Sequence, residues 1–89
     1  MRKALPTGSF KRNLKHLDKR GWDLNKLRLI ILLLQRGDSL PKYCRPHKLS
    51  GAYLGFWECH IEPDWLLIYS ITETKLVLIR TGTHADLFD

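Results

Sequence analysis

Residues 55–82 have the sequence "GFWECHIEPDWLLIYSITETKLVLIRTG", which contains three largely apolar runs at 55–61, 65–71 and 75–81. Two short connections separate these runs: "EPDW", with its proline at the second position of a turn, and residues 72–74. Side chains alternate between the two faces of a β-strand, and connections of hairpin length join antiparallel strands. We therefore expect a three-stranded antiparallel meander.

The first half of the chain predicts two helices. Phe10, Leu14 and Leu17 recur at helical spacing and form one apolar stripe, which Gly21 is placed to end. An aspartate at position 23 is a good N-cap for a second helix, which is apolar over most of its surface and closes at a glycine at position 37. Such a helix is either largely buried or shared with another chain.

The remaining segments are short. Residues 40–50, "LPKYCRPHKLS", contain two prolines and no periodicity, which predicts a loop. Residues 2–5 are a candidate short strand, and the last residues form a tail. This order of elements predicts an α+β fold, with two N-terminal helices packed on one face of a small twisted antiparallel sheet, in a single domain at residues 1–89. The helices can cover only one face, so we expect the other face to be open for a ligand.

The composition is typical of a globular protein of the cytoplasm. Hydrophobic residues make up 44% of the chain, which is too much for a disordered protein. No apolar run follows Met1, so a signal peptide is not expected, and the longest apolar run, at 29–34, is far shorter than the roughly 20 residues that span a membrane. Cys44 and Cys59 are isolated, and we expect both to remain reduced thiols.

Charge is distributed unevenly in this chain, whose net charge is +6. Residues 1–48 have 13 Lys and Arg against three acids, whereas residues 49–89 have two Lys and Arg against six acids. A basic surface suits a polyanion such as nucleic acid, although a solvated face without a partner fits the charge pattern equally well. The candidate nucleic-acid-binding residues are Lys11, Arg12, Lys15, Lys19, Arg20 and Lys48.

Ionisable side chains are concentrated around the first strand of the meander. The two-residue period places Glu58 and His60 on the same face, and Asp64, in the following turn, can approach that face. A charged side chain on a buried face loses its hydration, so a strand seldom has this many without a reason. His47 and His84 can join the group only if the loop and the tail fold over the sheet.

This spaced pattern closely resembles the YafQ branch of the RelE-like bacterial toxins, which are ribosome-dependent mRNA interferases. The resemblance extends from the first helix to Phe88 and is strongest at His47, Leu49, Gly51, Gly55, His60, Glu62, Pro63, Asp64, Trp65, Tyr69, Arg80, Gly82, His84, Leu87 and Phe88. It implies a microbial-ribonuclease-like α+β fold and cleavage of mRNA in the ribosomal A site, beside ribosomal RNA. It also implies a cognate antitoxin protein as partner in a toxin–antitoxin hetero-oligomer.

The resemblance further implies which residues form the site. The family's catalytic group falls on His47, His60, Asp64 and His84. Glu58 stands at a position where an acid also occurs, and Phe88 falls on the aromatic residue that supports the substrate.

These residue types have the chemistry that metal-free RNA cleavage requires. The 2′-OH attacks the adjacent phosphorus, which requires a base for its proton, an acid for the 5′-oxygen and positive charge around the phosphorane. Histidine can act as acid or base near neutral pH. We expect His84 as the general acid, His47 or His60 as the base and Asp64 as the group that orients an imidazole. No cofactor is expected.

Two alternatives remain open. YafQ toxins have an arginine where Trp57 stands, so Arg80 or Lys48 would have to neutralise phosphate in this chain. A catalytically weak or inactive module of the same fold, which binds RNA or the antitoxin, is therefore one alternative. The other is a metal-dependent hydrolase, because the three histidines and Asp64 named above could hold zinc.

Some of these residues also have ordinary structural explanations. Phe88 could anchor the C-terminus in the core, and Asp64 could serve only as a turn former after Pro63. Cys59 lacks the paired spacing of a zinc site, and His16 is expected to be exposed on the first helix.

Overall fold

A computed structural model describes residues 1–88 of the chain. The elements in chain order are β1 (Lys3–Pro6), α1 (Gly8–Lys19), α2 (Leu24–Arg36), β2 (His47–Lys48), β3 (Trp57–Glu62), β4 (Trp65–Ile71), β5 (Lys75–Gly82) and α3 (His84–Phe88). Two single-turn 3₁₀ helices, Lys42–Cys44 and Gly51–Tyr53, flank β2. None of the helices described is long and apolar enough to cross a membrane.

The five strands form one sheet in the order β1-β5-β4-β3-β2. The predicted meander is confirmed, because β3, β4 and β5 pair antiparallel. The expectation of a purely antiparallel sheet is wrong at β1, which pairs parallel to β5 with Lys3 opposite Lys75. Both helices lie between β1 and the meander in the chain, so no hairpin turn fixes the direction in which β1 pairs.

Both long helices begin and end at the residues that local chemistry favours. The Thr7 side chain accepts a hydrogen bond from the backbone N–H of Phe10 at the start of α1, and Asp23 does the same for Asn25 at the start of α2. Gly37 ends α2 with φ at 73°, in the left-handed region that glycine adopts without a Cβ penalty.

The main core lies between the helices and one face of the sheet. Phe10, Leu17, Leu27 and Ile30 of the helices are buried against sheet residues that include Leu67, Tyr69, Leu76 and Leu78. Burial of each such side chain stabilises the fold by roughly 1.5–3 kcal/mol. Cys44 and Cys59 belong to this cluster as free thiols, and burial raises the pKa of both.

A smaller cluster covers part of the opposite face, which is therefore less open than the sequence predicts. Leu66 and Ile68 of β4 are buried there beneath Leu87 of α3. The loop at 40–50 and the tail contain regular elements, β2 and α3, that the sequence analysis did not predict. A two-residue strand and a five-residue helix are too short to show their own period.

Candidate active site

Strand register determines which side chains share the face opposite α1 and α2. One row crosses four strands and contains His47 of β2, Glu58 of β3, Ile68 of β4 and Arg80 of β5. A register shift between Ile68 and Tyr69, of the kind that a β-bulge produces, brings Arg80 opposite Ile68. Three ionisable side chains therefore lie in one row on this face.

His60 lies in the next row, opposite Leu66 of β4, which in turn lies opposite Gly82 of β5. The predicted placement of Glu58 and His60 on one face is confirmed by these pairings. A second register shift, between His60 and Glu62, precedes the β3–β4 turn. That turn contains Asp64, and α3 begins two residues after Gly82, so the turn and α3 meet beside His60.

Asp64 holds the first residue of α3 by two hydrogen bonds. Its Oδ1 accepts from the His84 backbone N–H at 3.0 Å and lies 2.6 Å from His84 Nδ1. These bonds, the backbone one first, lower the pKa of Asp64. A carboxylate only accepts hydrogen bonds, so Nδ1 of His84 carries a proton and Nε2 is left for the substrate. The His84 side chain is 55% exposed, which leaves Nε2 accessible.

Aromatic rings surround His84. The ring centroids of His60 and His84 are 6.2 Å apart, and those of His84 and Phe88 are 6.4 Å apart. Phe88 also contacts Tyr53 edge-on at 5.7 Å between centroids, yet it remains 47% exposed. Leu87 is the buried residue of α3, so the suggestion that Phe88 anchors the C-terminus in the core is wrong.

His47 forms a separate pair with Glu58. Its Nε2 lies 3.0 Å from Glu58 Oε2, and its Nδ1 lies 3.0 Å from the backbone carbonyl oxygen of Arg45. Both ring nitrogens thus face hydrogen-bond acceptors. An imidazolium beside an ionised Glu58 satisfies both contacts, because a protonated histidine donates from both nitrogens. His47 therefore stands at the β2 edge, apart from the contact between His84 and Asp64.

Two buried polar atoms on this face have no partner among residues 1–88: Oε1 of Glu58 and Nδ1 of His60. They belong to neighbouring positions on the same face of β3. A buried polar atom without a hydrogen bond costs free energy, and such atoms are found where a ligand or water binds. These two buried atoms are therefore candidates for a hydrogen bond to a bound water molecule or to a substrate group.

Three hydrogen bonds fix the guanidinium of Arg80. Nε donates to Asn13 Oδ1 at 2.8 Å, Nη1 to the Tyr53 hydroxyl at 3.2 Å, and Nη2 to the Asp86 backbone carbonyl at 3.3 Å. The partners come from α1, the second 3₁₀ helix and α3. Arginine has five N–H donors, so two remain available for an anion after these bonds form.

A sequence model of the bacterial YafQ toxins of type II toxin–antitoxin systems matches residues 2–89. The chain belongs to the YafQ toxin family. The mRNA interferase toxin YafQ of Escherichia coli K12 is 42% identical over 83 residues, which cover 92% of this chain and 90% of that protein.

Solved structures agree with this assignment. YafQ from E. coli strain BL21(DE3) superposes with a TM-score of 0.93 at 38% identity, with 100% of both chains covered. A matching chain of the E. coli DinJ–YafQ toxin–antitoxin complex superposes with a TM-score of 0.89 at 39% identity, covering 99% of this chain and 98% of that one. The predicted fold is thus confirmed for this YafQ toxin.

Trp57 of this toxin lies on the other face of the sheet. It pairs with Lys48, and this pair is adjacent to the pair of His47 and Glu58, so its side chains point to the opposite face. The Lys48 ammonium lies 5.7 Å from the centre of the Trp57 ring. Trp57 therefore occupies no space in the candidate site, and Lys48 is also directed away from it. Of the two cations considered for the phosphate, Arg80 lies on the face of the histidines.

The basic residues of α1 form an exposed surface on the toxin. Lys11, Arg12, Lys15 and Lys19 are all at least partly exposed. Arg20 differs from them, because its Nη1 forms an ion pair with Asp86 Oδ2 at 3.1 Å. The expectation that Arg20 is a free RNA-binding cation is therefore not supported.

Sequence reasoning missed the residues that hold α3 in place. Thr83 Oγ1 accepts from the Asp86 N–H at 3.0 Å, and Asp86 Oδ2 accepts from the Thr83 N–H at 3.1 Å. The hydrogen bond from Arg20, together with this reciprocal pair, lowers the pKa of Asp86. The spacing of Thr83 and Asp86, T-x-x-D, is a capping-box pattern that could have predicted a helix start here.

Metal binding receives no geometric support from the toxin. Within residues 1–88, no group of three or more His, Cys, Asp or Glu side chains is arranged to hold a metal ion. The proposed zinc set would need His47 together with His60, His84 and Asp64, yet both His47 nitrogens face Glu58 and Arg45.

Proposed function

We propose that this toxin is an endoribonuclease that cuts mRNA on the ribosome and so inhibits translation. The observation that carries the proposal is the hydrogen-bonded pair of Asp64 and His84 beside His60, on a face of the sheet that substrate can reach. The name of the E. coli relative, mRNA interferase toxin, supports the same activity.

The reaction needs one proton removed and one proton delivered. The 2′-oxygen forms a bond to phosphorus, and the bond from phosphorus to the 5′-oxygen breaks. In our proposal neutral His60 accepts the proton from the 2′-OH, and the imidazolium form of His84, protonated at both nitrogens, donates the proton on Nε2 to the leaving 5′-oxygen. The products are a 2′,3′-cyclic phosphate and a 5′-hydroxyl. Asp64 accepts from Nδ1 of His84 and so directs Nε2 to the substrate.

His60 suits the role of base better than His47. Neither ring nitrogen of His60 is hydrogen-bonded to a described residue, whereas both nitrogens of His47 face acceptors. An imidazole that donates from both nitrogens has no lone pair for a proton. We therefore assign His47, with Glu58 beneath it, to supply positive charge near the phosphate rather than to remove the proton.

Arg80 and Phe88 complete the proposed site. Arg80 is held rigidly by its three partners and retains N–H groups for the equatorial oxygens of the phosphorane. Phe88 is exposed beside His84, and an exposed aromatic ring can stack on a base of single-stranded RNA. A preorganised cation is worth more at the transition state than a mobile one, because it costs no reorganisation.

Two macromolecular partners follow from the proposal. The relative in the DinJ–YafQ structure forms a complex with an antitoxin, and we infer that this toxin also pairs with a cognate antitoxin. The exposed cations of α1 would contact the phosphates of ribosomal RNA. Because ribosomes and mRNA are its proposed targets, we infer that it acts in the cytoplasm.

Expression without an antitoxin tests the proposal. Wild-type toxin is expected to arrest growth and deplete intact mRNA, whereas H60A and H84A are each expected to relieve both effects. The control is E73A, because Glu73 is an exposed residue in the turn between β4 and β5 and has no role in the proposed site. If H60A or H84A accumulates to wild-type levels and remains fully toxic, that histidine is not catalytic.

A further inference from the structure

A cleft of about 290 Å³ adjoins His60 on the side away from α3. Its lining consists of Tyr43, Arg45, His60, Glu62 and Pro63, and we call it the Tyr43 cleft. Strand β2 pairs only with the first two residues of β3, so no strand covers the edge of β3 at His60. The 3₁₀ turn that contains Tyr43 packs beside that edge instead.

Two side chains of the Tyr43 cleft are suited to a nucleotide. Tyr43 is 55% exposed although it is a large aromatic residue, so its ring is available for stacking. The guanidinium of Arg45 is exposed and forms no ion pair with any of residues 1–88. Glu62, the acid of the lining, is neutralised by Lys26 at 2.9 Å and therefore repels an anion little.

The backbone of Arg45 is held in an uncommon conformation. Its φ of 41° and ψ of 62° are left-handed, which costs free energy for a residue with a Cβ. In this conformation its carbonyl oxygen accepts from Nδ1 of His47. One residue thus links the cleft to the row of His47 and Glu58, so the cleft is continuous with the candidate active site.

We propose that the Tyr43 cleft binds the nucleotide on the 5′ side of the scissile phosphate, with its base stacked on Tyr43 and a phosphate oxygen paired with Arg45. This inference rests on the proposed RNA cleavage. In that reaction His84 protonates the leaving 5′-oxygen, so His84 and Phe88 face the nucleotide on the 3′ side. His60 faces the 2′-OH of the other nucleotide, and the cleft lies directly beside His60.

A double-substitution cycle tests the stacking. Cleavage of mRNA on programmed ribosomes is measured for wild type, Y43F and Y43A, with either a normal or an abasic nucleotide on the 5′ side of the cut. With normal mRNA, Y43A is expected to lower kcat/KM by roughly 5- to 150-fold, the usual worth of a base–aromatic stack, and Y43F to stay near wild type. With the abasic mRNA, wild type and Y43A should cleave equally. An equal loss for Y43A on both mRNAs would overturn the stacking.

A second variant tests the phosphate contact. R45N removes the guanidinium while placing asparagine, which tolerates the left-handed region, at this position. It is expected to reduce the slope of log affinity for a non-cleavable, 2′-O-methylated single-stranded RNA against log salt by about 0.7. The control is R28N, because Arg28 is an exposed arginine on α2, on the other side of the sheet. An unchanged slope for R45N would remove Arg45 from the site.

The two proposals fail in different ways. If wild-type toxin does not cut the mRNA at all, the proposed function fails. If wild type cuts and Y43A cuts equally well, with urea unfolding unchanged, the proposed function stands and the Tyr43 cleft is not a nucleotide site.

Discussion

Single side chains carry the proposed chemistry, and Asp64 shows how one of them depends on another. It is half of a hydrogen-bonded pair, and its hydrogen bonds to α3 go to the backbone and ring of His84. A carboxylate at Nδ1 leaves Nε2 as the atom that faces the substrate. In the proposed mechanism Asp64 is therefore a positioning residue that acts through His84.

The variant D64N tests this dependence. We expect slower cleavage, by up to the roughly hundredfold to ten-thousandfold that a general acid contributes, because an amide can donate as well as accept and so does not fix the ring of His84. At a pH where His84 is neutral, its nitrogen NMR shifts should change from those of the Nδ1-protonated tautomer to those of a mixture of tautomers. D18N, at an exposed aspartate of α1, serves as control. Unchanged NMR shifts in D64N would contradict the assignment.

The short helix α3 has two tasks, one for each of its last two residues. Leu87 closes the small apolar cluster over Leu66 and Ile68, while Phe88 remains exposed beside His84. Gly82 permits the close approach of this helix, because a Cβ there would lie 3.0 Å from Asp86 Oδ2. Truncation after Gly82 would therefore remove both a core residue and the proposed acid.

Paired alanine variants separate the two tasks. L87A is expected to lower the free energy of unfolding by about 2–5 kcal/mol, because a buried leucine leaves a cavity. F88A should lower it by about 1 kcal/mol or less but reduce cleavage, because it removes an exposed ring. Urea unfolding and mRNA cleavage measure the two effects. An L87A protein as stable as wild type would show that α3 does not close the cluster.

Asp86 makes the attachment of α3 sensitive to acid. Arg20 and Thr83 hold its pKa below the ordinary value, so its stabilisation is fully present above the unfolded pKa of about 3.9 and is lost as pH falls through the folded pKa. We expect D86N to be less stable than wild type by about 1 kcal/mol near pH 6, and by less near pH 3. Urea unfolding at both pH values measures this. A stability difference between D86N and wild type that grows toward pH 3 would contradict this prediction.

The surface of the protein divides into the face of the proposed active site and a basic helix. If α1 binds ribosomal RNA, reversal of its four free cations (Lys11, Arg12, Lys15, Lys19) should weaken ribosome binding. The salt dependence of that binding should fall by roughly 0.7–0.9 for each phosphate that is no longer neutralised. Reversal of Lys3 and Lys75, at the end of β1 remote from α1, is the control. Equal salt slopes in both variants would show that α1 is only a solvated face.

Long periodic segments explain why much of the fold could be predicted. The apolar stripe of α1, the caps of α2 and the alternation in the meander each involve enough residues to specify an element locally. The direction of β1 and the existence of β2 depend on pairing with distant strands, so local patterns do not determine them.

The sequence could predict the arrangement only of those site residues that lie on the same strand. Glu58 and His60 share a face by alternation alone. In contrast, the opposing acceptors around His47 depend on the left-handed backbone of Arg45, and the position of Arg80 depends on a register shift. Neither feature has a recognisable sequence signal, so the contacts of His47 with Glu58 and Arg45 could not be anticipated.

The most direct measurement uses an mRNA with a single 2′-deoxynucleotide on the 5′ side of the cut. We predict that wild-type toxin on programmed ribosomes cleaves the all-ribose mRNA to a 2′,3′-cyclic phosphate and a 5′-hydroxyl, and leaves the deoxy-substituted mRNA intact at that bond. H84A should cut neither mRNA at a measurable rate. Cleavage of the deoxy-substituted bond, or a product with a 5′-phosphate, would contradict attack by the 2′-OH and with it the roles of His60 and His84.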